Sequence, residues 1–432
     1  MIHVLGLGLC SAHRSPKMLA LIHAAELVAG GKRLLDELEI EESRRLPLTS
    51  MQEFARRIRE RATKGDVCVL ADGDPLLYGI GASLLRFFAP RELTFHPNVS
   101  ALQTACARLG LPWHDCLIVS LHGRTDHAPL FAALTHSSLA ALYTDNRNSP
   151  DAIARLLLER DVTGWRMHVA EDLCGPQEKL TTTDLPEAAQ QTWHTLNIIL
   201  LERIATPLLT LELGLDENAL VHADGLMTKQ PVRAFALSLL RLPSNATLWD
   251  LGAGSGAVSL EAARLLSRGR VVAVERQLER VEHIRENVKR TGAWLVEVVQ
   301  STLEEFLGNG KNGTYEKAPH AQDGGIADLE HTSHTSHNSH SSSPTHIFLG
   351  GGASAPVLAQ CAALLRPGGR MVVAAVLLST LETARAAITA LGWPLTVHQL
   401  MHQASSPLGG DLRLVPSNPV FLLETHKPSS DT

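Results

Sequence analysis

Short apolar runs alternate with helix-length amphipathic segments along almost the whole chain, and this alternation most narrows the folds open to it. An apolar run of four to eight residues followed by a helical repeat is the pattern of a strand and its crossover. Repeated, it builds α/β domains whose sheets are largely parallel and covered on both faces. In the first half, strands are predicted at 2–5, 67–70, 117–120, 140–143, 166–170 and 196–201. In the second half they are predicted at 247–250, 271–275, 295–299, 347–349, 370–375, 395–399 and 419–424. Helices fit between these at 232–241, 257–266, 278–290, 355–365 and 381–391. The last strands follow one another too closely for crossovers, so the second sheet is expected to end in an antiparallel edge.

The chain has 432 residues, enough for two or three domains. Residues 204–217, with Pro207, Gly214 and an acidic end, read as a linker between a domain at 1–203 and one at 218–432. Residues 308–344 break the rhythm, being Gly, Asn, His and Ser with almost no apolar side chain. Such a segment buries too little surface to offset the entropy of ordering, so a disordered insertion is expected. Its run His331, His334, His337 and His340 has metal-binding composition, but the Ser/Asn-rich context favours a solvated loop.

The bulk properties exclude some functions. A net charge of −6 argues against a general nucleic-acid binder, which needs a basic surface. The six cysteines include no Cys-x-x-Cys pair and suggest no disulfide framework, which fits a reducing cytosol. The N-terminus lacks a basic region, and Gly6 and Gly8 interrupt its apolar run, so it reads as a strand and loop rather than a signal peptide. No stretch approaches the ~20 apolar residues of a membrane span.

The sharpest local signal is Leu248-Trp249-Asp250-Leu251-Gly252-Ala253-Gly254-Ser255-Gly256. A strand runs into a glycine-rich turn that opens a helix, where the backbone turns tightly and approaches a ligand closely. Glu275 ends the next strand and is placed to accept both hydrogen bonds of a ribose diol. Gly252-x-Gly254-x-x-Ala257 also fits a dinucleotide pattern, which leaves an NAD-linked oxidoreductase as an alternative. Asp250, two residues before the first glycine, discriminates. It repels a pyrophosphate but attracts the ammonium and sulfonium of S-adenosylmethionine (SAM). Upstream, Thr228 is suited to cap the next helix, with Pro231 in its first turn, or to contact SAM. Lys229 and Arg233 are candidates for substrate carboxylates. Gly350-Gly351-Gly352 follows the strand at 347–349 and leaves room for a bulky planar substrate.

The Asp250–Gly256 segment resembles the class I methyltransferase motif. Together with Gly225-Leu226-Met227-Thr228-Lys229, Val274-Glu275-Arg276, Ile347-Phe348-Leu349-Gly350-Gly351-Gly352, Arg366-Pro367-Gly368-Gly369-Arg370 and Ser417-Asn418-Pro419-Val420, it is similar to the decarboxylating precorrin methyltransferase family of cobalamin biosynthesis. That resemblance implies SAM contacts at Thr228, Asp250, Gly252, Ala253, Gly254, Ser255, Gly256, Glu275 and Ser301. Ser301 stands where the family usually has glycine, and His346 where an acid is common.

In the first half, Val4-Leu5-Gly6-Leu7-Gly8 is a common strand-and-glycine pattern. Ala71-Asp72-Gly73-Asp74-Pro75-Leu76-Leu77-Tyr78-Gly79 follows a strand, at the sheet edge where α/β ligands bind. With His96-Pro97-Asn98-Val99-Ser100-Ala101-Leu102-Gln103 and Ser120-Leu121-His122-Gly123-Arg124, it resembles the tetrapyrrole methylase family, whose fold is two α/β lobes. The resemblance implies SAM in the cleft between lobes, near Gly8, Gly73, Asp74, Ser100 and Ala101. Asp72 stands where serine is commoner. Guanidinium geometry makes Arg124 a candidate for a substrate carboxylate.

The fold expected is therefore a two-lobed tetrapyrrole methylase domain followed by a doubly wound, Rossmann-like class I methyltransferase domain. The resemblance implies two SAM sites and a reduced tetrapyrrole substrate. It implies methylation of carbon 5 by the first domain, and methylation of carbon 15 with loss of the carbon-12 acetate carboxyl by the second. It further implies self-association, and leans toward a cobalt-free substrate. Electron-rich reduced pyrroles attack an activated methyl donor directly, so no metal or nucleophilic side chain is expected in catalysis.

Overall fold

The computed structural model describes residues 1–223, 227–309 and 343–429. It divides into two compact units. One comprises Met1–Gly123, Ser138–Arg160 and Trp165–Ile204, and the other Arg124–Ser137, Asp161–Gly164 and Ala205–Thr432. The expected insertion falls almost wholly outside the described residues, and so do Gly225 and Leu226 of the Thr228 segment.

The first unit contains two five-stranded sheets. In the first, β1 (Ile2–Gly6), β2 (Leu27–Gly30), β3 (Arg45–Pro47), β4 (Val67–Ala71) and β5 (Leu93–His96) are all parallel, in the order β3-β2-β4-β1-β5. Alternation of side chains puts Val4, Ala29 and Val69 in one apolar cluster and Leu5, Val28, Cys68 and Leu70 in another, on opposite faces. Helices cover both faces, which is why these strands read as unbroken apolar runs.

The second sheet comprises β6 (Leu117–Ser120), β7 (Leu139–Tyr143), β8 (Trp165–Glu171), β9 (Lys179–Thr183) and β10 (Asn197–Arg203), ordered β6-β7-β10-β8-β9. Only β6 and β7 are parallel; the other pairs are antiparallel. The expectation of largely parallel sheets therefore holds for the first lobe and not for the second. Strands β2, β3, β5 and β9 were not foreseen. They are three to five residues long, and β9 (Lys-Leu-Thr-Thr-Thr) carries almost no apolar signal.

In the second unit, β11 (Thr247–Leu251), β12 (Arg270–Glu275), β13 (Val296–Gln300), β14 (His346–Leu349), β15 (Arg370–Ala375), β16 (Leu395–Leu400) and β19 (Val420–His426) form one sheet, ordered β13-β12-β11-β14-β15-β19-β16. The chain starts at the centre and winds outward both ways, which makes the sheet doubly wound. The antiparallel strand is β19, and it lies inside the edge, between β15 and β16. Hydrogen bonds to β19 on both sides make β16, not β19, the edge strand. A separate hairpin, β17 (Gln403–Leu408) with β18 (Asp411–Pro416), fills the connection; its exposed, mixed sequence gave no strand signal.

Register decides what the functional residues face. Trp249, Leu251, Val272, Val274, Ile347 and Leu349 share one face and pack with Val357, Leu358, Cys361, Ala384 and Ile388 from helices Ala355–Leu364 and Leu378–Ala390. Asp250, between Trp249 and Leu251, therefore points to the opposite face, where Ser259 of helix Ala257–Leu265 meets it. Residues expected to form a linker are tied into this unit: Leu215 is buried, and its N–H donates to Glu261. Among the described residues, no helix is long and apolar enough to cross a membrane.

Candidate functional sites

At the end of β11 the chain makes a turn in which Gly252, Gly254 and Gly256 have φ of 73°, 60° and 79°. Only glycine occupies that region without a steric cost. The N–H groups of Gly252 and Ala253 both donate to the carbonyl of Val274, at 2.9 and 3.0 Å, which folds the turn over the end of β12. The turn after β14 comes equally close. A Cβ on Gly252 would lie 3.1 Å from the backbone nitrogen of Gly351, and one on Gly350 would lie 3.1 Å from the carbonyl oxygen of Gly252. The two glycine turns thus need each other's missing side chains. A Cβ on Gly351 meets nothing within 4 Å, so that turn opens to free space on one side.

Two carboxylates border this cradle. Glu275, buried at the end of β12, accepts from the N–H of Gly254 through Oε2 at 3.0 Å. Its Oε1 accepts from the N–H groups of Arg276 and Gln277. Ser301 donates its backbone N–H to the carbonyl of Glu275, so the structure brings these two residues together. Asp250 is buried; its Oδ2 accepts from the Ser259 hydroxyl at 2.6 Å, while its Oδ1 is buried without a partner. Burial pushes the Asp250 carboxyl up to about 6, against the opposing hydrogen bonds from Ser259. An unmatched buried acceptor beside a glycine turn is a costly arrangement unless a donor or cation arrives there. A cationic ligand fits it; a diphosphate does not.

The segment before the sheet is held by a buried ion pair. Arg233 is fully buried, and its Nε donates to Glu261 at 2.7 Å. Its remaining donors hold the carbonyls of Thr228 and Leu215. This corrects the expectation that Arg233 binds a substrate carboxylate, because the guanidinium is enclosed and engaged within the protein. It instead ties Thr228 to the helix that follows the glycine turn. Thr228 is not the helix cap either: Lys229 occupies that position, with Pro231 in the first turn. Lys229 is exposed and pairs with Glu217 at 2.7 Å. Asn287, not foreseen as functional, is fully buried and binds the carbonyls of both Ser255 and Val221. It joins the glycine turn to the approach of the Thr228 segment, from a helix whose sequence shows only an ordinary polar position.

The first unit builds a different cradle. Gly8, with φ of 66°, and Gly73, with φ of 57°, form an antiparallel bridge between the turns after β1 and β4. A Cβ on Gly6 would lie 2.5 Å from the carbonyl oxygen of Gly73. Asp74 accepts from the N–H of Leu76 at 2.8 Å and of Asn98 at 3.3 Å. Asn98 in turn donates to the carbonyls of Gly6 and His13. Ser100 is buried and caps helix Ala101–Leu109 in a reciprocal box with Gln103. A Cβ on Gly73 would lie 3.5 Å from the Cα of Ser100, so Gly8, Gly73, Asp74, Ser100 and the adjoining Ala101 come together, and Asn98 joins Asp74 to Gly6 and His13. Asp72 points away from them into a surface pair with Arg33.

Arg124 is exposed on the turn after β6. Next to it, Asp145 accepts from the N–H of Gly123 at 2.6 Å. Burial raises the Asp145 carboxyl, but the N–H donors of Gly123, Asn148 and Arg147 outweigh it and hold the group below the usual range.

Residues 1–189 match the family model for tetrapyrrole (corrin/porphyrin) methylases, and residues 219–314 and 316–427 match that of the precorrin methyltransferase domain. A Mycobacterium tuberculosis protein named precorrin-6Y C(5,15)-methyltransferase (decarboxylating) is 31% identical over 361 residues, covering 82% of this chain and 81% of its own. The chain belongs to the precorrin-6Y C(5,15)-methyltransferase family. Two shorter relatives each match about half of it. The cobalt-precorrin-7 C(5)-methyltransferase of Salmonella typhimurium is 32% identical over 46% of this chain and 98% of its own. A probable cobalt-precorrin-6B C(15)-methyltransferase (decarboxylating) of Sulfolobus acidocaldarius is 27% identical over 50% of this chain and 97% of its own. Membership of this family implies SAM as the methyl donor, and the orphaned Asp250 oxygen in a glycine cradle suits a cationic ligand.

Proposed function

We propose that this chain is a bifunctional, cytosolic SAM-dependent enzyme. It methylates a precorrin at carbons 5 and 15 and removes the carboxyl group of the acetate on carbon 12, with precorrin-6B as substrate. Residues 1–203 serve carbon 5, and residues 218–432 serve carbon 15 and the decarboxylation. The observation that carries this reading is the similarity, over 82% of this chain, to a protein named for both methylations, beside two separate glycine cradles. Relatives named for a single carbon, each spanning about half this length, support the division of labour. Six free cysteines fit a reducing compartment.

In the second unit, Asp250, Glu275, Thr228, Ser301 and the Gly252–Gly256 turn would hold SAM; in the first, Gly8, Gly73, Asp74, Ser100 and Ala101 would. SAM supplies an activated methyl group on sulfur. The chain's part is then to hold the acceptor carbon in line and keep water out. Asp250 supplies fixed negative charge in a site of low dielectric, where it acts more strongly than in water. That charge also argues against the dinucleotide alternative. The open side of Gly351 gives a planar macrocycle access to the cradle. Exposed Lys229 and Arg124 are suited to its peripheral carboxylates. Loss of carbon dioxide needs an electron sink, which the conjugated macrocycle provides once an adjacent carbon is protonated or methylated.

The test uses full-length protein, methyl-labelled SAM and precorrin-6B. Two labelled methyls and one carbon dioxide are expected per product. Asp250→Asn and Gly8→Ala should each fail to complete the product alone, while a mixture of the two chains should complete it. Failure of the mixture, or retention of both methylations by either variant, would contradict the division of labour.

A further inference from the structure

We propose that Cys10, His13 and Cys174 form a binding site for a thiophilic divalent cation of the zinc type, beside the Gly8 turn. Cys10 and His13 lie three residues apart and Cys174 far along the chain, yet one ligand atom from each lies within 4.8 Å of the others. Two thiolates and an imidazole are the donor set of a tetrahedral zinc site that keeps one position open to water. A tetrahedral ion about 2.3 Å from sulfur and about 2.0 Å from nitrogen spaces its ligand atoms by roughly 3.5–3.8 Å. Rotation of half-buried side chains closes the remaining gap.

Hydrogen bonds set the loop that carries Cys174. Arg108, on helix Ala101–Leu109, pairs with Glu178 at 2.9 Å. Glu178 also accepts the N–H of Cys174 at 2.6 Å, and Asp172 accepts that of Gln177 at 2.9 Å. These bonds hold the loop with Asp172 and Cys174 at positive φ, 45° and 63°. Such conformations are uncommon in non-glycine residues and persist where the surroundings enforce them. Here they deliver one sulfur to the other two ligands.

Binding releases one proton from each thiol and forms two metal–sulfur bonds and one metal–nitrogen bond, with water as fourth ligand. The ring of His13 packs against Gly8, where a Cβ would lie 2.4 Å from that of His13, and its Nδ1 accepts the N–H of Leu9 at 3.1 Å. A cation on the ring competes with that amide donor, so occupancy acts directly on the Gly8–His13 turn. The site would thus fasten the Gly8 turn to the 172–178 loop.

Full-length protein in a phosphine reductant should be titrated with Co2+. A near-ultraviolet sulfur-to-cobalt charge-transfer band should grow with the visible bands of a tetrahedral ion, and Zn2+ should displace both. The histidine run at 331–340 holds no cysteine and cannot give the sulfur band. Cys10→Ser and Cys174→Ser should each remove most of that band, His13→Gln should shift the visible bands, and Cys116→Ser should change neither. As a check that needs no variant, Zn2+ should protect Cys10 and Cys174 from alkylation in the wild type, as read by peptide mapping. The proposal is overturned if the wild type shows no sulfur band. It is equally overturned if the band survives loss of both cysteines, or if Zn2+ leaves both thiols reactive.

Discussion

The two cradles use a carboxylate in opposite ways. In the second unit, Asp250 keeps an oxygen buried and unmatched at the cradle, while Glu275 braces the turn. In the first unit, the carboxylate of Asp74 takes the backbone N–H groups of Leu76 and Asn98. There the glycine turns are closed by Asn98 and by the bridge between Gly8 and Gly73. One site keeps a buried carboxylate oxygen unmatched; the other is shaped by backbone geometry. The lesson is that an acid next to a glycine does not by itself identify a charge-recognition site. Where its oxygens go decides.

Substitutions separate the two designs. The largest effect should come from Arg233→Ala, which leaves Glu261 buried without its cation. A loss of about 3–5 kcal/mol in the stability of the second unit is expected from denaturant unfolding, while replacing both partners by apolar residues should recover much of it. Next, Asp250→Asn should weaken SAM binding in the second unit by about 1.5–3 kcal/mol, measured by calorimetry. The same change should stabilise the ligand-free protein. Burial raises the carboxyl from its ordinary value of 3.8 to about 6, so ionisation costs roughly 3 kcal/mol of folding stability at neutral pH. That cost is absent below the ordinary value of 3.8 and complete above about 6. Loss of affinity with a gain in melting temperature is the signature of a strained site.

Gly8→Ala should act on the first cradle alone. A left-handed alanine costs about 1–2 kcal/mol, and its Cβ also displaces His13. Carbon-5 methylation should fall sharply while SAM binding in the second unit is unchanged. A pH series sharpens the contrast further. Protonation of Asp250 removes the charge, so affinity in the second unit should fall about tenfold per pH unit below about 6. The first unit should show no such dependence in that range. The smallest effect belongs to Lys229→Ala. Its exposed pair with Glu217 is worth at most about 1 kcal/mol of stability, so a much larger change in the substrate KM would mark a direct contact with precorrin.

The second unit was the more legible in sequence because its signals are local. Asp250 and the three glycines lie within seven residues, and each strand of its main sheet is an apolar run at a predictable spacing. The first unit hides short strands such as β3 and β9, whose place in the sheet comes from tertiary pairing rather than from their own composition. The error over Arg233 has the same origin. Its partner Glu261 is 28 residues away, and nothing local tells a buried cation from an exposed one. Asn98 stands in a quoted motif without a role of its own, and Asn287 in none, because a residue that binds backbone carbonyls has no spacing to recognise.

The central claim is that two independent cradles each hold a methyl donor, one by charge and one by shape. Calorimetric titration of the full-length protein with SAM at pH 7.5 tests it directly. Two molecules should bind per wild-type chain and one per Asp250→Asn chain at the same ligand concentrations. A wild-type chain that binds only one, or an Asp250→Asn chain that still binds two with undiminished affinity, would contradict it.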